Sequence, residues 1–203
     1  MRIGLAALLV VVTLVATACS GGAAKSSPTP SATSVPVSSP TAKPSSSPAG
    51  LATTGPNVRP GERPPIMPPA AKQHTQEGAL AFAGYFYQVF DFSLSTMTTK
   101  ALQSLSSDTC GSCQKHIKSI DDLRAKGGHV QGGRMSLGSI NRVKGTADIK
   151  ADLTFLVRVD QEALVEIRAN GSSGSSEAPT KVANYLFLSW LDRGWRMIEI
   201  SQS

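Results

Sequence analysis

The chain has 203 residues, of which 40% are hydrophobic and 17% charged, a composition typical of a soluble globular protein with one domain or a small pair. Its formal net charge of +6 arises mostly in the first 74 residues, because from residue 75 onward 14 Lys and Arg accompany 13 Asp and Glu. The region able to fold therefore lacks the basic excess that binds phosphates, and we expect no nucleic-acid partner.

Aromatic residues and prolines occupy different parts of the chain. All 11 aromatic residues lie after residue 81, whereas 12 of the 13 prolines lie at or before Pro69. Because a core needs large apolar side chains, the folded domain is predicted to occupy residues 64–203.

Residues 1–18 have the pattern of a signal peptide. Ile3–Val15 is an apolar run too short to span a bilayer comfortably, and small residues lead from it to Cys19. This arrangement resembles the bacterial lipoprotein signal, in which the cysteine is acylated and becomes the first residue of the mature protein. Ala16 stands where leucine is usual. The alternatives are ordinary secretion after Ala18 or an uncleaved anchor helix. Lipidation of Cys19 predicts attachment to the outer face of the cell membrane.

Residues 19–63 have the composition of a tether. After Cys19 the segment is rich in Ser, Thr, Pro, Ala and Gly, contains no aromatic residue and has few large aliphatic ones. Such a chain cannot bury enough apolar area to offset the entropy lost on ordering. We therefore predict a disordered linker that holds the domain away from the membrane.

Three helices are predicted next. From Thr75 to about Ser95, apolar residues recur at intervals of three and four, and additional apolar positions widen the stripe. This helix is therefore expected to be enclosed on more than one side. Thr98–Leu105 fits a short second helix, and a third runs from Asp108 to about Lys126, where two glycines end it.

The pattern after Gly128 changes to that of β-strands. Five segments read as strands: His129–Val143, Ala147–Val159, Glu162–Ala169, Val182–Leu191 and Trp195–Ser201. A tight turn at Asp192–Gly194 joins the last two, and Asn170–Ser176 is interpreted as a loose loop. Helices followed by antiparallel strands predict an α+β fold, with a curved sheet around the first helix.

Several motifs together resemble a lipoprotein family of actinobacteria that carries a domain of unknown function. They span about 140 residues: Pro64-Pro65-x-Met67-Pro68, Thr75-x-x-Gly78-Ala79-x-Ala81-Phe82, Tyr85, Cys110-x-x-Cys113 and Gly194-Trp195-Arg196-x-Ile198. The resemblance implies an envelope location and a cone-shaped, cystatin-like fold similar to nuclear transport factor 2, without a settled activity.

Cys110-Gly111-Ser112-Cys113 is the one chemically suggestive motif. In an oxidising compartment the two thiols are expected to form a local disulfide at the start of the third helix. A redox role is the alternative, since a helix N-terminus acidifies a thiol, but the βαβ setting of thioredoxin-like motifs is missing. Zinc would need two further ligands, and Gln114 stands where haem attachment requires histidine. We expect no metal and no cofactor.

Candidate ligand-binding residues follow from the cone-shaped fold, which often holds a pocket between helix and sheet. Asp91 with Tyr85 or Tyr87 could transfer a proton in such a pocket, but the favoured interpretation is a solvated Asp91 and tyrosines that pack in the core with their hydroxyls at the surface. On the sheet face or its rim, Phe155, Tyr185 and Trp190 are candidates for apolar contact, whereas His74 and His116 are interpreted as surface residues.

The leading functional hypothesis is a membrane-anchored extracytoplasmic binding module for a small apolar ligand or an envelope protein. The alternative is an enzyme with an isomerase-like pocket or a redox-active CxxC pair. A purely structural role in the envelope is a third option.

Overall fold

The structure, a computed structural model, describes residues 51–203. The predicted signal peptide, Cys19 and the tether up to residue 50 lie outside the described residues. Within residues 51–203, none of the helices combines the length and apolar character needed to cross a membrane.

The three predicted helices are present. They are α1 (Gln76–Thr96), α2 (Lys100–Leu105) and α3 (Gly111–Ala125). The hydroxyl of Thr75 accepts a hydrogen bond from the Gly78 N–H at 3.0 Å and caps α1, as its position before the apolar run favours. Met97 ends α1 in the left-handed conformation, with φ 54°. Most of the side chains of α1 are buried, in agreement with the wide apolar stripe of its sequence.

The strands form two antiparallel sheets. The four-stranded sheet has the order β2-β3-β6-β7, and the three-stranded sheet has the order β1-β4-β5. Their bounds are β1 His129–Gly132, β2 Met135–Val143, β3 Leu153–Gln161, β4 Leu164–Ile167, β5 Ser173–Glu177, β6 Thr180–Leu191 and β7 Gly194–Gln202. The predicted α+β class, with the helices packed against antiparallel sheet, is confirmed.

The strands do not form the single curved sheet that was predicted. The long hairpin in which β1 and β2 pair with β4 and β3 bends and is shared between two sheets. The segment expected to be one strand, His129–Val143, is split into β1 and β2 at Gly132 and Gly133, which have φ of 73° and 68°. A Cβ on Gly132 would lie 2.2 Å from the carbonyl oxygen of Ala163, between β3 and β4. The two strands of the hairpin therefore bend at the same point along their length. On the β1–β2 strand, the positive φ and the close approach to Ala163 require glycine.

The interpretation of Asn170–Ser176 as a loop was wrong for its second half. Ser173–Glu177 forms β5, which pairs with β4 through Ile167 opposite Ser173 and Leu164 opposite Glu177. The segment carries no large apolar residue, so its pairing with β4, and not its own propensity, makes it a strand.

The domain includes residues that the sequence assigned to the tether. Gly55 lies so close to α1 that a Cβ there would approach the Thr96 Cα to 2.4 Å, and the Asn57 N–H donates to the Ser95 carbonyl at 3.1 Å. The Asn57 amide also donates to the Gly132 carbonyl at 2.7 Å. The contacts therefore begin before the predicted boundary at residue 64, because small and polar residues bond to the domain without adding to the core.

β7 is connected to β6 by a tight turn, and its other edge is covered by the chain around the start of α3. Asp192 and Arg193 have positive φ, as a type I′ turn requires, which agrees with the predicted tight turn. The Ser107 N–H donates to the Met197 carbonyl at 2.8 Å, and the Ile200 N–H donates to the Ser112 hydroxyl at 3.1 Å. Ser107, which precedes α3, and Ser112, in its first turn, thus cover an edge of β7 that would otherwise expose unpaired backbone groups.

Candidate functional site

A cleft of about 610 Å³ opens between the helices α1 and α3 and the two sheets. Its helical walls follow from periodicity. Tyr87, Phe90 and Leu94 are spaced by three and four on α1, and His116 and Leu123 lie seven residues apart on α3. Apolar strand residues complete the interior: Val130, Met135, Val159, Leu164, Val182 and Ile200.

One wall of the cleft carries a buried polar pair. The amide nitrogen of Asn184 donates a hydrogen bond to the hydroxyl of Tyr87 at 3.0 Å. Burial raises the pKa of Tyr87, and the bond from Asn184 opposes this shift only in part. Both side chains line the cleft, together with the neutral polar residues Gln161, Thr180 and Gln202. This wall can exchange hydrogen bonds with a ligand that lies against the apolar interior.

The remaining polar groups of the cleft are His116, Glu166 and Glu177. The imidazole of His116 packs on the ring of Phe90, with 5.0 Å between centroids. Although much of its surface is exposed, surrounding protein atoms desolvate the ring and lower the pKa of His116, while the negative charge of Glu177 opposes the shift. Of the described residues that line the cleft, Glu166 and Glu177 are the acidic ones, and none is a lysine or an arginine.

Asp91 belongs to an ion-pair network on the other side of α1. The Arg134 guanidinium bridges it to Glu62, with 2.6 Å to Asp91 and a paired contact to Glu62. The Met135 N–H also donates to Asp91, at 2.8 Å. The hydrogen bonds that Glu62 accepts from Arg134 lower the pKa of Glu62 against the effect of burial, and the same bonds are the largest cause of the raised pKa of Arg134.

The carboxylate of Asp91 is therefore occupied. It borders a second, smaller hollow of about 390 Å³, which it shares with Tyr87 and Glu62. Its oxygens already accept hydrogen bonds from a guanidinium and a backbone N–H, so they have little capacity left for a ligand. This geometry favours a structural role, in which the network ties residues 59–62 to the domain.

Tyr85 and Phe155 lie in the hydrophobic core and are each 1% exposed. The Tyr85 hydroxyl has no hydrogen-bond partner within residues 51–203, and burial raises the pKa of this tyrosine to about 12. Trp190 stacks on His74 at 4.7 Å between ring centroids and meets Trp195 edge-on.

The five predicted ligand-binding residues do not share a cavity. Tyr185 lies on β6 opposite Ser201 and is half-buried, and neither it nor Tyr85, Phe155 or Trp190 lines either hollow described above. Their role in binding stays a prediction.

Cys110 and Cys113 are joined in a disulfide, as predicted, with 2.00 Å between the sulfur atoms. Cys110 caps α3, and its sulfur accepts a hydrogen bond from the Cys113 N–H at 3.2 Å. The two residues are 0% and 1% exposed. Because thiol exchange requires access to a sulfur atom, this burial favours the structural interpretation over the redox one.

The N-terminus of α3 is also capped from β7. The carboxylate of Glu199 accepts from the Gly111 N–H at 2.9 Å and from the Ser112 N–H at 3.1 Å. Burial alone would raise the pKa of Glu199, but hydrogen bonds from Ser112, Ile200 and Gly111 outweigh it, so the pKa is lowered. Among residues 51–203, no three His, Cys, Asp or Glu side chains lie close enough together to hold a metal ion.

A model of a protein family of unknown function, DUF6318, matches residues 57–201, almost the whole of the folded region. The chain belongs to this family. The match begins at Asn57, whose side chain bonds to the bend at Gly132, and so agrees with the contacts that precede residue 64.

Solved structures with a related backbone are distant from the DUF6318 domain in sequence. The intermembrane space region of the chloroplast protein ARC6 is 10% identical, with a TM-score of 0.43 over 64% of this chain and 97% of that one. The beta subunit of benzoate 1,2-dioxygenase from Burkholderia mallei is 6% identical, with a TM-score of 0.42 over 64% of this chain and 90% of that one. Among curated protein sequences, none matches this chain significantly.

The cleft of the DUF6318 domain contains residues that the sequence did not single out. His116 was interpreted as a surface residue, and Asn184, Glu166 and Glu177 were not considered. The spacing of Ser112, His116 and Leu123 on α3 is a helical signal for a shared face. The strand residues had no such signal, because β4 and β5 reach the cleft only through the bend that separates the two sheets.

Proposed function

We propose that this protein is a lipid-anchored lipoprotein of an actinobacterial envelope, whose extracytoplasmic domain binds a small apolar or amphipathic ligand. The observation that carries the binding role is the cleft between α1, α3 and the two sheets, with its volume of about 610 Å³. Ligand sites in proteins are commonly of about 300–1,000 Å³, mostly apolar, with a few placed polar groups.

The chemistry of the cleft supports an elongated, largely apolar ligand. Phe90, Leu94 and Leu164 offer hydrophobic surface, and the Tyr87–Asn184 pair offers polar atoms on one wall. Removing an alkyl chain from water contributes about 0.8 kcal/mol per methylene group, so a chain of eight to ten carbons would supply most of the affinity.

The lipid anchor is supported by the sequence before the domain. The apolar segment and small residues that precede Cys19 have the pattern of a lipoprotein signal, and several acyl chains hold a protein stably at a membrane. The Ser-, Thr- and Pro-rich residues up to 50 would then separate the cleft from the bilayer surface. In this arrangement the membrane is the partner of the anchor, and the ligand is the partner of the domain.

Ligand binding can be tested with N-phenyl-1-naphthylamine, a neutral apolar dye whose fluorescence rises in an apolar site. We expect saturable binding to the domain. In Val182→Phe, the larger side chain would fill part of the cleft and weaken the dye affinity by about tenfold or more. The matched control is Val165→Phe, because Val165 is similarly half-buried but does not line the cleft, and it should keep the affinity within about twofold.

A dye that does not bind, or that binds equally to Val182→Phe and the wild type, would contradict a ligand site in the cleft. Identification of small molecules extracted from the purified protein would then distinguish an occupied cleft from an unused one.

The anchor can be tested by labelling cells with an alkyne analogue of palmitate and by detergent phase partition. We expect the wild-type protein to carry the label and to enter the detergent phase, whereas Cys19→Ala should do neither. Ser20→Ala, which changes the neighbouring residue, should behave as wild type. Wild-type protein found unlabelled in the medium would support the alternative of ordinary secretion.

A further inference from the structure

We propose that the ligand of the cleft carries a positively charged head group, held by Glu166 and Glu177, on an apolar body held by the interior. This inference rests on the proposed function and names the class of ligand for the same site: a cationic amphiphile, such as a long-chain amine or quaternary ammonium compound. It concerns the two acidic residues, which the binding hypothesis itself does not require.

The charges around the cleft are of one sign. Glu166 and Glu177 line it, and within residues 51–203 no lysine or arginine does. Residues 51–203 as a whole carry charges of both signs, 17 Lys and Arg and 14 Asp and Glu. A cleft in which the acidic or basic lining residues, apart from His116, are two glutamates attracts cations and repels anions.

The two carboxylates are also unpaired, unlike many other acids of the domain. Asp122 pairs with Lys118 at 2.7 Å, Asp160 with Lys181 at 3.0 Å, and Asp91 with Arg134. Within residues 51–203, the carboxylates of Glu166 and Glu177 neither form an ion pair nor accept a hydrogen bond. They are therefore free to accept bonds from a cationic group.

The register of β4 and β5 brings both carboxylates to one side of the cleft. Glu177 is directly opposite Leu164 in the antiparallel pair, and Glu166 follows Leu164 by two residues on the same strand. Residues with these relations lie on one face of a sheet. Because Leu164 lines the apolar interior while Glu177 is exposed, the surface changes from apolar to acidic on going outwards.

His116 also lines the cleft and lies near Glu177. Glu177 is close enough for its charge to act on the imidazole, and burial of the ring favours its neutral form. A neutral imidazole on Phe90 leaves both carboxylates without a permanent positive partner in the cleft. Protonation of His116 at acidic pH would place a competing cation there.

The test compares two ligands with the same tail, decyltrimethylammonium and decanoate, by displacement of N-phenyl-1-naphthylamine below their micelle-forming concentrations. We expect the cation to bind roughly tenfold or more tightly than the anion, since the half-buried Glu166 and the exposed Glu177 attract one head group and repel the other. The difference should shrink as sodium chloride is raised from about 0.05 M to about 0.5 M.

The variants assign the preference to the two glutamates. In Glu166→Gln with Glu177→Gln, the two affinities should converge to within about threefold while the neutral dye still binds. Asp148→Asn with Asp192→Asn removes the same charge from exposed residues outside the cleft and should keep the preference. Glu177→Lys should shift the preference towards decanoate.

The outcomes separate the two proposals. If the dye and both amphiphiles fail to bind, the proposed binding function of the cleft is wrong. If the dye binds but the two head groups are bound equally, or if the preference survives in the double glutamine variant, only the cationic class of ligand is overturned. A wild-type preference for decanoate would overturn it as well.

Discussion

Tyr85 and Tyr87 lie two residues apart on α1, and the same change to phenylalanine should alter the stability of the domain in opposite directions. Tyr85 is 1% exposed, and its hydroxyl finds no partner within residues 51–203. Tyr87 is also buried, but its hydroxyl accepts a bond from Asn184 at 3.0 Å. The two substitutions therefore distinguish a hydroxyl that destabilises the folded domain from one that stabilises it.

The magnitudes follow from the two environments. Burying an unpartnered hydroxyl costs about 1–3 kcal/mol, and removing its oxygen leaves a void of roughly 15 Å³, which costs about 0.4 kcal/mol. Tyr85→Phe should thus stabilise the domain by about 1 kcal/mol or more. Tyr87→Phe removes a hydrogen bond and leaves the Asn184 amide unpaired, so it should destabilise by about 1 kcal/mol.

The assay is urea unfolding followed by the fluorescence of Trp190 and Trp195, with thermal unfolding as a second measurement. A separation of about 2 kcal/mol between the variants corresponds to about 4–8 °C in Tm for a domain of this size. A Tyr85→Phe variant destabilised by about 1 kcal/mol or more would refute the reasoning, since the hydroxyl would then have a partner.

The alkaline limb of the stability curve provides a second check on Tyr85. Its pKa is raised to about 12 from the ordinary value of 10.0. The unfolded chain therefore releases this proton first, and the stability present below pH 10 falls as the pH rises through 12. Tyr85→Phe should lose less stability than the wild type over this range. Equal losses would show that Tyr85 titrates normally.

Three further predictions concern other contacts of the domain. Glu199→Gln should lower the free energy of unfolding by about 1–2 kcal/mol at pH 7, because the cap of α3 loses its charge. This difference should disappear as the pH falls below 4.5 through the lowered pKa of Glu199, as measured by urea unfolding. Arg134→Met should cost about 3 kcal/mol, since two carboxylates lose their partner, and should speed tryptic cleavage at Arg59. Cys110→Ser should cost about 2 kcal/mol in thermal unfolding.

Each of these predictions has its own control. Asp148→Asn removes an exposed acid and should leave stability within about 0.5 kcal/mol of wild type at either pH. A Glu199→Gln effect that does not decrease as the pH is lowered from 7 into the acid range below 4.5 would exclude the charge as its cause. For Arg134→Met, unchanged cleavage at Arg59 would mean that the ion-pair network does not hold residues 59–62. A Cys110→Ser protein as stable as the reduced wild type, but less stable than the oxidised one, would assign the loss to the disulfide.

The helical part of the fold could be predicted because its signals are local. Thr75 precedes a run with apolar residues every three or four positions, and these two features determine where α1 begins and which side chains it buries. The CxxC pair is equally local: only two residues lie between the cysteines, so their pairing needs no information about the rest of the chain. The hairpin at Asp192–Gly194 is likewise local, since the length and residues of the loop select the type of turn.

The cleft could not be predicted in this way. Its carboxylates belong to short strands of which one, Ser173–Glu177, has almost no strand propensity and forms by pairing with β4. The role of Asp91 was hidden for a similar reason, since Arg134 lies 43 residues away in sequence and reaches it only across the packed helix and sheet. The contacts of Gly55 and Asn57 add no apolar pattern, so composition alone assigned them to the tether.

The amino-acid sequence by itself thus determined the class of the fold, the helices, the disulfide and the expectation of a lipid anchor. These depend on composition and on neighbours within one or two turns of chain. The tertiary structure decided where the cleft lies, which acids are neutralised and which remain free within it. Those properties depend on a bend at Gly132 and on pairings between distant strands, and no local pattern of residues specifies the distance between two side chains that the chain brings together only on folding.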